Sequence, residues 1–343
     1  MSGTGRPPYV SGAGAEHPAG VGTTDLVAAA YAAFRDTAAA VAVPRDVVRV
    51  SGPDAEAYLQ GQCSQDVSVL VVGGSAESLL LSPQGKVEVY LRMTRRGDQE
   101  FLLDTDGGFG PAVVARLERF RLRMKVDLEP LDWTCLAVRG PDAAPSVTGA
   151  PEVVLSVAWA GLEGVDLLGP SPAGGPGGWV AGSVVAAPPE AWEAVRIEAG
   201  VPVNGRELVD GTIAAEVGLV ERTVSFTKGC FTGQELVARL DARGSKVARR
   251  LRGLVIGNGP GGGPIPPEAA PTLVGSAVRT HDGEHEVGRL SSAAWSPGHR
   301  APVALATLHR RIEVPEAVVV LWDPDTGEHR LPAQARALPL TPG

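Results

Sequence analysis

Apolar residues recur at helical spacing from Asp25 to about Ala40, with Leu26, Ala30, Phe34 and Thr37 on one face and Pro44 ending the run. The pattern then shifts to the two-residue period of a strand at Val47–Val50. Ser51-Gly52-Pro53-Asp54 follows, placing Pro and Asp where the first turn of a helix favours them, and that helix runs through Tyr58 and Leu59 to about Gly61. Ser78–Leu81 and Lys86–Met93 read as the arms of a hairpin about the turn Ser82-Pro83-Gln84-Gly85. Phe101-Leu102-Leu103 is a further strand. Pro111–Met124 is an amphipathic helix with Val114, Leu117, Phe120 and Met124 on its apolar face, and Pro188–Gly200 is another, closed by glycine.

A short motif occurs twice. Val48-Arg49-Val50-Ser51-Gly52-Pro53-Asp54-Ala55 is echoed by Leu136-Ala137-Val138-Arg139-Gly140-Pro141-Asp142-Ala143, each a strand, a Gly-Pro-Asp and a helix start. The echo predicts two lobes built alike. From Leu251 the texture changes to short β-rich runs: Leu254–Ile256, Leu273–Arg279, His285–Ser291, Ala304–Leu308 and Ala317–Trp322. Turns such as His281-Asp282-Gly283 and Asp325-Thr326-Gly327 separate them, the spacing of a small all-β barrel or sandwich. Gly257–Pro271 reads as a long mobile loop within it. The fold class is therefore α+β: two similar α+β lobes at 25–130 and 131–248, then a C-terminal all-β barrel at 249–343. Residues 1–24, rich in Gly, Ala and Pro and without an apolar core, are expected to be a disordered tail.

Composition narrows the function. The 31 basic and 39 acidic side chains leave a net charge of −8, which is no chain-wide footprint for nucleic acid or an anionic membrane. Cys63, Cys135 and Cys230 are scattered and form no CxxC, as suits a reducing compartment rather than a disulfide scaffold. No run reaches the roughly 18 apolar residues of a membrane span. A cytoplasmic protein without a membrane is expected. The six histidines lack metal-ligand spacing, so no metal site is predicted.

The chemistry concentrates in Lys228-Gly229-Cys230-Phe231-Thr232-Gly233-Gln234-Glu235. Thr232-x-x-Glu235 has the form of a capping box, which predicts a helix starting immediately after Phe231. Cys230 would then lie just upstream of a helix N-terminus, where unpaired N–H groups favour a thiolate, with Lys228 two residues away. Position alone leaves a second reading open, in which Cys230 is a small buried core residue. Cys63 and Cys135 read as core.

This octamer resembles the signature of the YgfZ family, relatives of the aminomethyltransferase of the glycine cleavage system. Arg196-Ile197-Glu198-Ala199-Gly200-Val201-Pro202, Gly52-Pro53-Asp54 with Tyr58-Leu59-Gln60-Gly61-Gln62 and Asp66, and Gly85-Lys86-Val87 extend the likeness, while Ile213-Ala214-Ala215-Glu216 stands where an Ile-Pro-x-Glu is usual. The resemblance implies a ring whose central channel takes tetrahydrofolate or a one-carbon derivative. Its pterin would be held by a carboxylate, here Glu198, which accepts two parallel N–H bonds. Arg196, Gly229, Gln234, Glu235 and Lys86 are the further cofactor-binding candidates, and Cys230 with Lys228 the catalytic ones.

The implied role is an accessory factor in iron–sulfur cluster assembly or repair, linked to tRNA modification, with iron–sulfur enzymes as client partners and a monomeric state. Whether any reaction is catalysed stays open. True aminomethyltransferases carry a catalytic aspartate after the strand that is Phe101–Leu103 here. The matching stretch Gly107–Pro111 has no carboxylate, and Asp104 and Asp106 stand out of place. A folate-dependent one-carbon transferase is the alternative. A third reading is an RNA- or tRNA-binding module using the basic run Arg239, Arg243, Lys246, Arg249, Arg250 and Arg252, which is otherwise a solvated surface.

Overall fold

The computed structural model describes residues 22–242, 246–323 and 327–341. Most of the expected tail lies outside the described residues, and Thr23 already opens the first helix. In chain order the elements are α1 (Thr23–Asp36), β1 (Ala39–Val43), β2 (Arg45–Ser51), α2 (Ala55–Gln62), β3 (Ser75–Leu81), β4 (Val87–Gly97), β5 (Glu100–Asp106), α3 (Gly110–Phe120) and β6 (Asp127–Leu131). There follow β7 (Thr134–Arg139), β8 (Val153–Trp159), β9 (Leu162–Gly169), β10 (Val185–Ala186), α4 (Pro189–Ala199), a single turn α5 (Val220–Thr223) and α6 (Gln234–Asp241). The last are β11 (Arg249–Ile256), β12 (Ala277–Thr280), β13 (Glu286–Ser296), β14 (Ala301–His309), β15 (Glu316–Trp322) and β16 (His329–Arg336).

Two five-stranded sheets, ordered β3-β4-β5-β2-β6 and β10-β1-β7-β9-β8, are joined to a closed six-stranded barrel. The chain's first strand belongs to the second sheet, and Pro44 alone separates it from β2 in the first. The lobes are therefore interleaved rather than consecutive along the chain. This also corrects the first helix: α1 stops at Asp36 and buries Val27, Ala30, Tyr31, Ala33 and Phe34. The alanine-rich run after it pairs with β7 and β10 instead of staying helical, because burial inside a sheet outweighs the helix preference of alanine.

The sequence echo is a repeat in three dimensions. Gly52 and Gly140 end their strands at φ +127° and +119°. Each receives a carbonyl where a Cβ would stand, Lys125 O at 2.4 Å and Thr37 O at 2.3 Å. Asp54 N–H and Asp142 N–H donate to those same two carbonyls. Only glycine fits such a crossing. The copies then diverge: the first continues into α2, while the second makes only turns through Ser146.

In the barrel, β16 closes the sheet between β15 and β11. Its sequence, His-Arg-Leu-Pro-Ala-Gln-Ala-Arg, lacks β-branched residues and gave no strand signal, but Leu331, Ala333 and Ala335 alternate inward. The segment expected to be a mobile loop instead carries two 3₁₀ turns and buries Ile265 and Ala270; Leu273, expected to open a strand, ends the second turn, and β12 starts only at Ala277. The largest core cluster runs through α1, α4, the β3–β4 hairpin and the barrel strand β14, so both lobes and the barrel share one interior. Among the described residues no helix is long and apolar enough to cross a membrane.

Candidate functional site

Where the two sheets meet the barrel they enclose a cavity of about 1830 Å³. Its wall draws on β2, β4, the end of β5, β7, β8, β9, α4 and the 201–206 segment, with β13 from the barrel. Aromatic surface comes from Tyr90, Phe109, Trp159, Trp192 and Trp295. Trp192 packs at a tilt of 46° against Trp159 with centroids 4.7 Å apart, and the Arg139 guanidinium sits 4.8 Å from the Trp159 ring centre and 5.1 Å from that of Trp192.

Alternating charges bridge the two sheets behind this wall. Asp106 pairs with Arg45 (3.0 Å), Arg45 with Asp104 (2.5 Å), Asp104 with Arg92 (2.9 Å), Arg92 with Asp166 (2.9 Å) and Asp166 with Arg139 (2.8 Å). The Arg92–Asp166 step crosses from the first sheet to the second. Burial alone raises both aspartates, but the arginines prevail: Arg139 and Arg92 hold Asp166 down at about 2, and Arg92 and Arg45 keep Asp104 below the usual carboxylate range. Of these residues only Arg139 is the single charge of its strand; the others share β2, β4, β5 and β9 with further charged residues.

Asp106, which looked out of place in the sequence, does reach the cavity. Its Oδ1 faces Arg45, and its Oδ2 accepts the backbone N–H of Asn204 (2.8 Å) and one Asn204 amide N–H (2.9 Å). Asn204 also bonds both backbone groups of Tyr90, acting as a short extension of the ladder beside β4. With both oxygens engaged, Asp106 is a wall and positioning residue rather than an unencumbered base.

The residues singled out from sequence fall into two places. Arg196 lines the cavity, but all five of its N–H donors are spent on protein: Glu193 twice (3.0 and 2.6 Å), Val201 O (2.5 Å), Glu207 (3.3 Å) and Ser292 (2.7 Å). It staples α4 to the barrel. Glu198, two residues on and so turned to the other side of α4, is not in the cavity wall. It is buried, with its carboxylate bonded by both Tyr31 (2.9 and 3.1 Å) and Arg35 and by Ser296 (2.5 Å), tying α1, α4 and β13 together. Burial raises its proton affinity despite those donors. The carboxylates that α4 presents to the cavity are Glu190 and Glu193.

Cys230, Lys228, Gly229, Gln234, Glu235 and Lys86 form a separate group, and none of them lines the cavity. The expected capping box is absent. Gly233, at φ +82°, is the N-cap of α6 and no side chain caps it, so the helix begins two residues later than expected. The segment before it is pinned to the end of α2. Ser225 N–H donates to Ser64 O (3.0 Å) and Thr232 N–H to Gly61 O (3.2 Å).

Between them, buried Lys228 donates to three carbonyls: Gln60 (2.7 Å), Cys63 (2.7 Å) and Gln65 (2.9 Å). Its ammonium satisfies acceptors that a helix C-terminus leaves open. All three protons are used, so Lys228 shapes the loop and is not the flexible charge expected beside the thiol. Cys230 is exposed at the crest of that loop, whereas Cys63 and Cys135 are sealed in the core. Burial pushes the Cys63 thiol up to about 11.

Residues 21–156 match the family description "GCVT N-terminal domain". The chain is 30% identical over 227 residues to the tRNA-modifying protein YgfZ of Klebsiella pneumoniae (strain 342), a match covering 57% of this chain and 65% of that one. It is 26% identical over 321 residues to an aminomethyltransferase of Thermus thermophilus, covering 85% of this chain and 84% of the relative. The match thus spans a little under two thirds of the YgfZ relative's length. The crystal structure of the glycine cleavage system aminomethyltransferase T from Bartonella henselae superposes with a TM-score of 0.76 over 92% of this chain and 89% of the other, at 20% identity. The fold is therefore shared with that protein.

Proposed function

Because the chain belongs to the YgfZ group of aminomethyltransferase-related proteins, we propose that it is a tetrahydrofolate-binding factor whose work is linked to tRNA modification. The observation that carries this reading is the cavity shared by both sheets and the barrel, walled by Trp159, Trp192 and Tyr90 beside a carboxylate. A pterin is a flat ring with a donor edge, and this wall offers both counterparts: aromatic faces for stacking and an acceptor for paired N–H groups. Glu193 is the acceptor we assign to it: its Oε2 accepts the Arg196 Nε–H (3.0 Å), and a carboxylate oxygen carries a second lone pair. Bound folate would supply the one-carbon or redox chemistry; the chain's own residues bind and orient it.

The exposed Cys230 supports the finer part of the proposal, an accessory role in iron–sulfur cluster assembly or repair. A thiol held at the crest of a pinned loop is placed to meet another protein. The proposed site of action is the cytoplasm.

Calorimetry with tetrahydrofolate tests the binding. Ala158 lies in the cavity wall and is exposed, so Ala158→Trp fills the cavity without entering the core. Binding by the wild type, its loss in Ala158→Trp and its weakening in Glu193→Gln are expected. No heat from the wild type would end the folate reading, and undiminished binding by Ala158→Trp would move the ligand elsewhere. A second reading, a one-carbon transferase, is favoured by the aminomethyltransferase match running through the barrel. Turnover of a labelled one-carbon folate by the purified chain would establish it.

A further inference from the structure

The basic run from Arg239 to Arg252 is rearranged by the fold. Arg243 lies outside the described residues. In the β11–β14 ladder Arg252 stands opposite Ala306, a barrel-core residue, and its half-buried side chain donates to Leu251 O (3.2 Å). Burial, aided by Arg250, lowers its proton affinity. The same ladder sets Arg249 opposite His309 and Arg250 opposite Leu308. The two residues after β14 are Arg310 and Arg311, both exposed, and Arg310 N–H donates to Ala248 O (2.9 Å). Pairing of two strands distant in sequence thus gathers Lys246, Arg249 and Arg250 beside Arg310 and Arg311.

Among the described residues, Lys246, Arg249, Arg310 and Arg311 enter no ion pair. Of the acids next along the chain, Glu316 turns its Oε2 to the Glu313 N–H (2.7 Å) and closes its own turn. In a chain of net charge −8 such a cluster is an outlier.

We propose that this cluster is a docking surface for the phosphodiester backbone of an RNA. Arginine forks match phosphate oxygens in pairs. A membrane is the poorer fit, because interfacial binding needs apolar side chains to insert. Here Val247, Leu308 and Ile312 are all buried, and the exposed large apolar residues lie elsewhere in the chain. A folate tail is excluded from the role by position, since none of these side chains lines the cavity. The choice of RNA rests on the tRNA-linked function proposed above; the surface itself does not depend on folate.

The test is fluorescence anisotropy of a labelled tRNA titrated with the full chain at rising KCl. Contact with four or five phosphates gives log K falling against log salt with a slope of about −3 to −4. Arg249→Glu with Arg310→Glu and Arg311→Glu should abolish binding at moderate salt. The milder Arg310→Gln with Arg311→Gln, checked by its melting curve, should flatten the slope by about 2. An unchanged slope in that folded variant, absence of tRNA binding by the wild type at low salt, or binding to phosphatidylserine vesicles in place of tRNA would overturn the proposal. Calorimetry with tetrahydrofolate on the same variants should be unaltered, so failure of the folate reading and failure of the RNA surface register separately.

Discussion

Gly85 and Gly233 stand back to back. A Cβ on Gly85 would come within 2.6 Å of Leu236 Cβ and 3.0 Å of the Gly233 carbonyl oxygen, and one on Gly233 within 2.5 Å of Ser82 O and 3.1 Å of Gly85 Cα. Both have positive φ, +72° and +82°. The tip of the β3–β4 hairpin is thereby seated on the first turn of α6, and the cysteine loop enters that turn from outside.

Alanine at Gly233 therefore meets two penalties, a left-handed backbone costing about 1–2 kcal/mol and a backbone clash that adds to it. Urea denaturation should show a lower midpoint for Gly233→Ala, and similarly for Gly85→Ala. Wild-type stability in both variants would mean that the hairpin tip and helix are not docked this closely.

Lys228 acts as a clamp, so Lys228→Met should leave three carbonyls without their donor. The expected loss is about 1–3 kcal/mol for buried groups left unpaired, read from denaturant midpoints. Cys230→Ala, at an exposed position, should change stability by under about 0.5 kcal/mol and leave folate binding intact. In cells lacking the native gene, Cys230→Ala should fail to restore function. Full complementation would remove the cysteine from the proposed role.

The sheet-to-sheet clamp is acid-sensitive. Asp166 sits near 2 in the folded chain against about 3.9 unfolded, so its contribution is complete above the unfolded value and is lost as pH falls toward 2. That difference corresponds to about 2.5 kcal/mol at neutral pH. Asp166→Asn should be destabilised by at least this amount at pH 7. It should also lose less stability than the wild type between pH 4 and pH 2, as followed by chemical denaturation at each pH. Parallel curves would show that the aspartate does not carry the clamp.

For Glu198 the sign is opposite. Burial raises its proton affinity, so the folded chain takes up a proton before the unfolded one, and wild-type stability gains on Glu198→Gln as pH falls from neutral through the folded value toward about 4.3. Glu198→Ala should cost about 1–3 kcal/mol, because Tyr31, Ser296 and Arg35 lose their acceptor. Tetrahydrofolate binding should persist in both variants. Its specific loss in a fully folded Glu198→Gln would return the pterin to this residue.

Much of the architecture was written in local patterns. The β3–β4 hairpin, α4 with its glycine stop, the Gly-Pro-Asp echo and the barrel's β-rich texture each follow from residues a few positions apart, because turn chemistry and periodicity act over that range. The burial of Cys63 and Cys135 was legible in the same way. The cavity was not. Arg92, Asp104, Arg139 and Asp166 come from four strands in two sheets, and what joins them is a crossover at Pro44 that leaves no periodic trace.

The chain by itself thus determined many of its elements, its repeat and its kinship, since these depend on local backbone preference and on residues read in order. Only the tertiary structure decided what the charged side chains do. It committed Lys228 to three carbonyls, drew Glu198 into a buried knot and turned Glu193 to the cavity. An ion's role is set by which partners and how much water surround it, and those neighbours come from distant parts of the chain.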